Sequence, residues 1–414
     1  MKIRSITCFL NPGWPLDQVR FKRAARLVAD AQRAIVAAGY EVQTTRLATV
    51  PFTELLGDRP GDLPRLAQAV EAAAQAAGFS YVSLGPALPD NLRSYAVIPE
   101  AIAATQNAFF SGALTVQETT ASQPSISLPA ARQCAGVIQR SASIELNGFA
   151  NLRFAALANV QPGSPFFPAA YHAGDELTFA LATEAADLAV EAFGQAASID
   201  EARLLLVESL SQHGQTLASI GVQVAAAHKA RFGGIDFSLA PFPTRAQSVA
   251  EAMERMGVPA VGLHGSLVAA AILTEAIERA VFPHAGFCGL FLPVLEDALL
   301  AERAAQGLLT VKDVLLYSAV CGTGLDTIPL PGDVPVPALQ AVLLDLAALA
   351  VRLHKPLTAR LMPVPGKKAG EATNFDFAFF ANSKIMALEA EPLTGLLAGD
   401  ETFSILATGF KRRA

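Results

Sequence analysis

The sequence predicts an α/β protein built on parallel strands, and three observations carry that prediction. Short apolar or β-branched runs alternate with Ala-rich helical segments through the first 160 residues. The chain is 52% hydrophobic and only 16% charged, a balance that strands buried on both faces and the helices packed on them account for. Gly39 and Gly78 stand where a helix C-terminus needs a residue that accepts positive φ.

The first half reads as five strand-then-helix units. Strands are expected at 3–10, 41–50, 80–88, 109–116 and 152–160, with helices such as 22–39 and 63–78 between them. The second half opens with long helical segments at 176–196 and 200–230. Strand-like runs return at 235–241, 289–294, 325–331 and 357–364, with a shorter one at 377–381. Helices at 246–256, 264–280, 296–306, 310–320 and 336–354 separate them. Five units followed by about five more imply two half-barrels or two packed sheets. No low-complexity linker divides them, so residues 1–414 are expected to form one domain. Residues 1–160 are its first half, 161–230 a connecting loop with long helices, and 231–414 its second half.

Composition excludes several classes. A net charge of −6, with no basic cluster beyond 410-FKRRA-414, gives no pull toward nucleic acid. Residues 154–174 carry no formal charge, long enough for a bilayer, yet Pro162, Pro165 and Pro168 recur every third residue and break any spanning helix. The run 256–274 contains Pro259, three glycines and His264. The start, MKIRSITCFLNPG, lacks an apolar signal core. A cytoplasmic, membrane-free protein is expected. Cys8, Cys134, Cys288 and Cys321 form no CxxC pair and read as reduced thiols.

In parallel α/β proteins, sites form where loops converge at the C-terminal ends of strands. Asn11 follows the first expected strand and the fifth ends at Asn159, and both are candidates for substrate binding. Asn159 opens 159-NVQPGSPFFPAAYH-172, whose proline spacing suits an extended polyproline-like path with few internal hydrogen bonds. Phe166, Phe167 and Tyr171 would line a site, and His172 is its titratable group, an acid or base set against a buried structural histidine. In 321-CGTGLDT-327 two glycines flank Thr323, placing Cys321 at a turn as nucleophile or as small buried residue. Asp326 is a ligand to substrate or metal, or a loop cap. Asp236, after Gly233 and Gly234, either pairs with a cation such as Arg360 or caps local amides. With Asp326 and His172 it would also make a hard-cation site. Arg360 sits inside the apolar run LTARLMPV, and Lys367 and Lys368 follow it, a grouping able to receive a carboxylate or phosphate. No P-loop or GxGxxG signature is present, so a dinucleotide cofactor is not expected.

The strings NVQPGSPFFPAAYH, RFGGIDFSLAPFP, GLFLPVLEDALLAERAAQGLLTVKDVLLYSAVCGTGLDTIPLPGD and PLTARLMPVPGKKAG together resemble an uncharacterised family, domain of unknown function 711. The resemblance runs from about 145 to 385 and, more loosely, through IRSITCFLNPG. That family is similar in fold to pyruvate formate-lyase-like enzymes, which implies a ten-stranded α/β barrel of two five-stranded parallel half-sheets. It implies no established activity. The same barrel analogy puts Cys321 on an internal loop and Gly409, in 407-ATGF-410, at a glycyl-radical position. The arginine usual before such a glycine is absent, so the expected chemistry is non-radical.

The functional expectation is an enzyme acting on a small anionic metabolite. Arg360, with Lys367, binds the anion, and His172 moves a proton. Asp236 or Asp326 orients groups or holds a divalent ion, and Cys321 is the nucleophile. The rival is a non-catalytic metabolite-binding or regulatory protein working with a small partner protein. A homo-oligomer is expected in either case.

Overall fold

The first strands form where the sequence places them. The computed structural model describes residues 1–116 and 123–408, so Gly409 and the basic tail lie outside the described residues. Five strands open the chain: β1 Lys2–Leu10, β2 Val42–Thr49, β3 Tyr81–Ala87, β4 Ala108–Ala113 and β5 Phe154–Ala158. Each pairs in parallel with the next, which requires crossovers. Helices α1 Gln18–Ala37, α2 Leu63–Ala76 and α3 Leu128–Ser141 supply three of them, and the short helices Arg93–Ala96 and Ile98–Ala103 lie in the one between β3 and β4. α1 begins where the Asp17 side chain accepts the amides of Val19 and Arg20. Gly39 and Gly78, at φ 91° and 87°, follow the ends of α1 and α2 as expected.

Four more strands complete the sheet: β6 Thr178–Glu184, β7 Arg231–Asp236, β8 Gly324–Pro331 and β9 Leu357–Val364. The order is β8-β9-β5-β4-β3-β2-β1-β6-β7. Two seams are antiparallel, β1 with β6 and β5 with β9, so the later strands run opposite to the first five. The outer edge of β7 exchanges hydrogen bonds with 283–285, through Ile235 N–H to Pro283 O and Ala285 N–H to Ile235 O. The outer edge of β8 does the same with 290–294, through Gly322 N–H to Leu290 O and Val294 N–H to Asp326 O. One short segment therefore touches both edge strands.

Several expected elements differ. Residues 178–184 are a strand, not the start of a helix; the helix there is only Ala186–Gln195. TFALATE is mostly buried, so it lacks the alternation that marks a half-exposed strand, and its alanines read as helical. β7 begins four residues before the expected 235, because Gly233 and Gly234 lie within it. At Gly234, with φ 111°, a Cβ would meet Pro283 O at 2.7 Å, so glycine permits that close approach. The runs 289–294 and 377–381 are loops. The first makes single bridges only, and in the second the phenylalanines pack by their rings.

α1, α2, α3, the 30-residue α4 Ile199–His228 and α5 Val336–Arg352 cover one face of the sheet. Ile6, Cys8, Leu47 and Leu84 point into that layer. The opposite face carries Phe9, Ala48, Phe109 and Leu157. A small second sheet joins Thr115–Val116, Ser125–Ser127 and Thr402–Ser404.

Candidate functional site

Two chain segments pack on the face of the sheet that the helices leave free. The first is 159–172, whose extended backbone needs hydrogen-bond partners that no helix or ladder supplies. Small polar side chains of the strands provide them. Thr7 Oγ1 donates to Pro165 O at 3.2 Å and Ser83 Oγ to Ala170 O at 2.7 Å. The His172 amide donates to Thr49 O at 2.9 Å, and the Tyr171 hydroxyl closes back on Val160 O at 2.9 Å. The second segment is 284–291. Phe287 and Phe291 set their rings against Phe166, with centroids at 5.4 and 5.0 Å.

Asp236, at the end of β7, ties down this second segment. Its carboxylate accepts the amides of Phe287 at 2.9 Å and Cys288 at 3.0 Å. It also accepts the Ser238 hydroxyl at 2.5 Å and the Ser238 amide at 3.2 Å. Burial pushes this carboxyl above its ordinary value, and the four donors offset part of that. Four donors saturate most of its acceptor capacity, which makes it a clamp.

Between the segments and the sheet lies a cavity of about 280 Å³, at the N-terminal ends of β1–β5 and the C-terminal ends of β6 and β7. Four arginines line it: Arg4, Arg46, Arg153 and Arg360. Three have carboxylate partners. Arg153 Nη2 donates to Glu145 at 2.6 Å. Arg360 grips Asp326 with two nitrogens, at 2.5 and 2.9 Å, and reaches Glu296 at 2.7 Å. Arg4 pairs with the other oxygen of Glu296 and lies 3.5 Å from Glu184. Burial pushes Glu296 up, but the guanidiniums of Arg4 and Arg360 outweigh it and hold the carboxyl below its ordinary value.

Arg46 is different. Its Nε donates to Thr44 Oγ1 at 2.9 Å, and its guanidinium lies 5.2 Å from the Phe167 ring centre and 5.8 Å from that of Tyr81. Among the described residues no carboxylate pairs with it. Burial, with the like charge of Arg4 next, pushes it down to about 9, which still leaves a cation at neutral pH.

The whole arrangement sits within a recognisable sequence family. The family described as uncharacterised ACR (DUF711) matches residues 1–382. The chain belongs to it. DUF711 relatives carry the name UPF0210 protein. One from Pyrobaculum arsenaticum is 32% identical over 84% of this chain and 79% of its own length. One from Neisseria meningitidis is 28% identical, over 84% and 80%, and one from Corynebacterium glutamicum 27%, over 85% and 78%. None of these names carries an activity.

In this DUF711 chain the residues singled out from sequence fall into two groups at opposite ends of the sheet. Asp236 and Arg360 line the cavity, and Asp326 lies behind Arg360. Lys367 follows β9 at the same end but does not line the cavity, and Lys368 is exposed. Asn11, Asn159, His172 and Cys321 are at the other end. Asn11 bonds Asp175 and Asn159 bonds the Lys355 carbonyl. The Lys355 ammonium in turn bonds the Cys321 carbonyl. The Cys321 side chain is buried in the helix-covered core. His172 is 4% exposed, lies beside Phe9 and has a buried Nε2 with no hydrogen-bond partner among the described residues; burial lowers its pKa. Among the described residues no three His, Cys, Asp or Glu side chains gather as a metal site, so Asp236, Asp326 and His172 are not brought together. Nor is any described helix long and apolar enough to cross a membrane.

The division has one cause. The two halves run antiparallel, so the C-terminal ends of their strands face opposite ways. Arg4, Arg46 and Glu296 went unnoticed in the sequence. The signal was there for Arg46, since EVQTTRLATV holds an arginine inside a strand just as LTARLMPV does.

Proposed function

We propose that this protein binds a small organic anion in the cavity, with the anion's carboxylate seated on Arg46. The carrying observation is a guanidinium that faces an aromatic cavity with no carboxylate partner among the described residues, while its three neighbours are paired. Arg360, favoured from sequence as the anion receptor, is occupied by Asp326 and Glu296, so that role passes to Arg46. Binding is favoured over catalysis by His172 or Cys321, because neither lines the cavity. The same reading takes the segment 284–293 as the tenth strand position, closing the nine-stranded sheet into a barrel of the pyruvate formate-lyase type around the inner segment 159–172. The bonds from 284–293 to both edge strands support it.

A charge-assisted hydrogen bond contributes about 1.5–3 kcal/mol, so Arg46→Gln is expected to weaken binding of benzoate, the probe anion, by about ten- to a hundredfold. Calorimetric titration of both proteins, with circular dichroism to confirm that the variant folds, measures it. Equal affinity in a folded Arg46→Gln protein removes the proposal.

A further inference from the structure

We infer that the ligand class this cavity selects is an aryl monocarboxylate, its ring lodged among phenyl edges and its carboxylate on Arg46. The inference rests on the anion-binding reading above and narrows it. Eight of the residues lining the cavity are aromatic, although Phe, Trp and Tyr make up only 7% of the chain. Tyr81 and Phe167 flank the free guanidinium, and Phe109 stands edge-on to both, at 5.4 Å from each ring. Phe166 and Phe291 form a further edge-to-face pair. Phe149 and Phe377, in edge contact at 5.1 Å, with Phe379 at 5.3 Å from Phe377, add another aromatic side.

Charge and geometry each exclude an alternative. A phosphate dianion needs more than one free cation, and Arg4, Arg153 and Arg360 are already held by carboxylates. Recruiting Arg4 or Arg360 would take a partner from the buried carboxylates of Glu296 and Asp326, a large cost, and Arg153 is held by Glu145 and by the Thr105 carbonyl. A monoanion matches Arg46, the one cavity-lining guanidinium without a carboxylate partner among the described residues. An aliphatic tail would fill the apolar space, but it has no quadrupole to complement the ring edges and faces. Each well-placed aromatic pair adds about 0.5–1.5 kcal/mol beyond burial, so two or three such contacts separate aryl from alkyl ligands by about tenfold or more.

The test is calorimetric titration of the full chain with benzoate, phenylacetate, hexanoate, acetate, inorganic phosphate and 2-phenylethanol. Either aryl carboxylate is expected to bind about tenfold tighter than hexanoate, and 2-phenylethanol and phosphate far more weakly. Phe377→Leu, at a partly buried position and with circular dichroism to confirm folding, is expected to weaken the aryl ligands several-fold and leave hexanoate unchanged. Hexanoate or acetate binding as tightly as the aryl acids, with the affinity lost in Arg46→Gln, overturns the aryl assignment and leaves the anion reading standing. Phosphate as the tightest Arg46-dependent ligand overturns the aryl assignment and the organic-carboxylate reading together. If no anion binds in an Arg46-dependent manner, both fall.

Discussion

At the scale of single residues, the decisive contrast is between charges that are compensated and one that is not. Asp326 and Arg360 are fully or almost fully buried, and such a pair is held for geometry more than for net stability. Glu296 lies between Arg4 and Arg360 and links β1 to β9 across the cavity. Its carboxyl is held below its ordinary value, so in the window between that lowered value and about 4.5 the unfolded chain binds a proton that the folded chain does not. Its contribution is therefore present above about pH 4.5 and lost as pH falls through the lowered folded value. Urea unfolding between about pH 6 and pH 3 is expected to show wild-type stability falling more steeply than that of Glu296→Gln. Parallel slopes would show that Glu296 is not the linked group. An arginine inside an apolar strand is legible in sequence as a residue with a task. Which arginine is free is not legible, because that depends on carboxylates up to 292 positions away.

At the scale of elements, the segments 159–172 and 284–291 rely on positions where no side chain fits. Gly286 has φ 65°, and a Cβ there would press on the Asp236 carboxylate and on Pro165, joining the clamp to the other segment. Gly286→Ala is expected to cost about 1–3 kcal/mol in chemical denaturation and to weaken ligand binding. Gly136, inside α3 with nothing within 4 Å of its Cβ position, is the control. Gly136→Ala is expected to hold or raise stability by up to about 1 kcal/mol. Equal effects at both positions would contradict the clamp. The stretch 159–172 was legible as stiff and apolar, and Phe166 and Phe167 do line the cavity. Its partner 284–291 was half hidden in a run read as a strand, since GLFLPV has strand composition and only tertiary contacts keep it out of the ladder.

For the whole molecule, the sheet runs without a break through both antiparallel seams, and α1 packs against α4 as well as on β1. Neither half owns a complete hydrophobic layer, so one cooperative unfolding transition is expected. Fluorescence of Trp14, the only tryptophan, and far-UV circular dichroism should give the same urea midpoint. Separated midpoints would mean that the halves unfold independently.

The sequence by itself determined the α/β class, the first five strands, the long helix at 199–228 and the family, because hydrophobic periodicity and local turn chemistry are short-range properties. It also marked Arg360 as a charge with a task inside a buried strand, but offered Asp236 as its partner, a place the structure gives to Asp326 while Asp236 caps local amides. The tertiary structure alone decided that the second set of strands runs against the first. That reversal put His172, Asn11, Asn159 and Cys321 at one end and the arginine-lined cavity at the other. Strand direction within a sheet depends on how connections cross over it, and no local pattern of residues encodes that path.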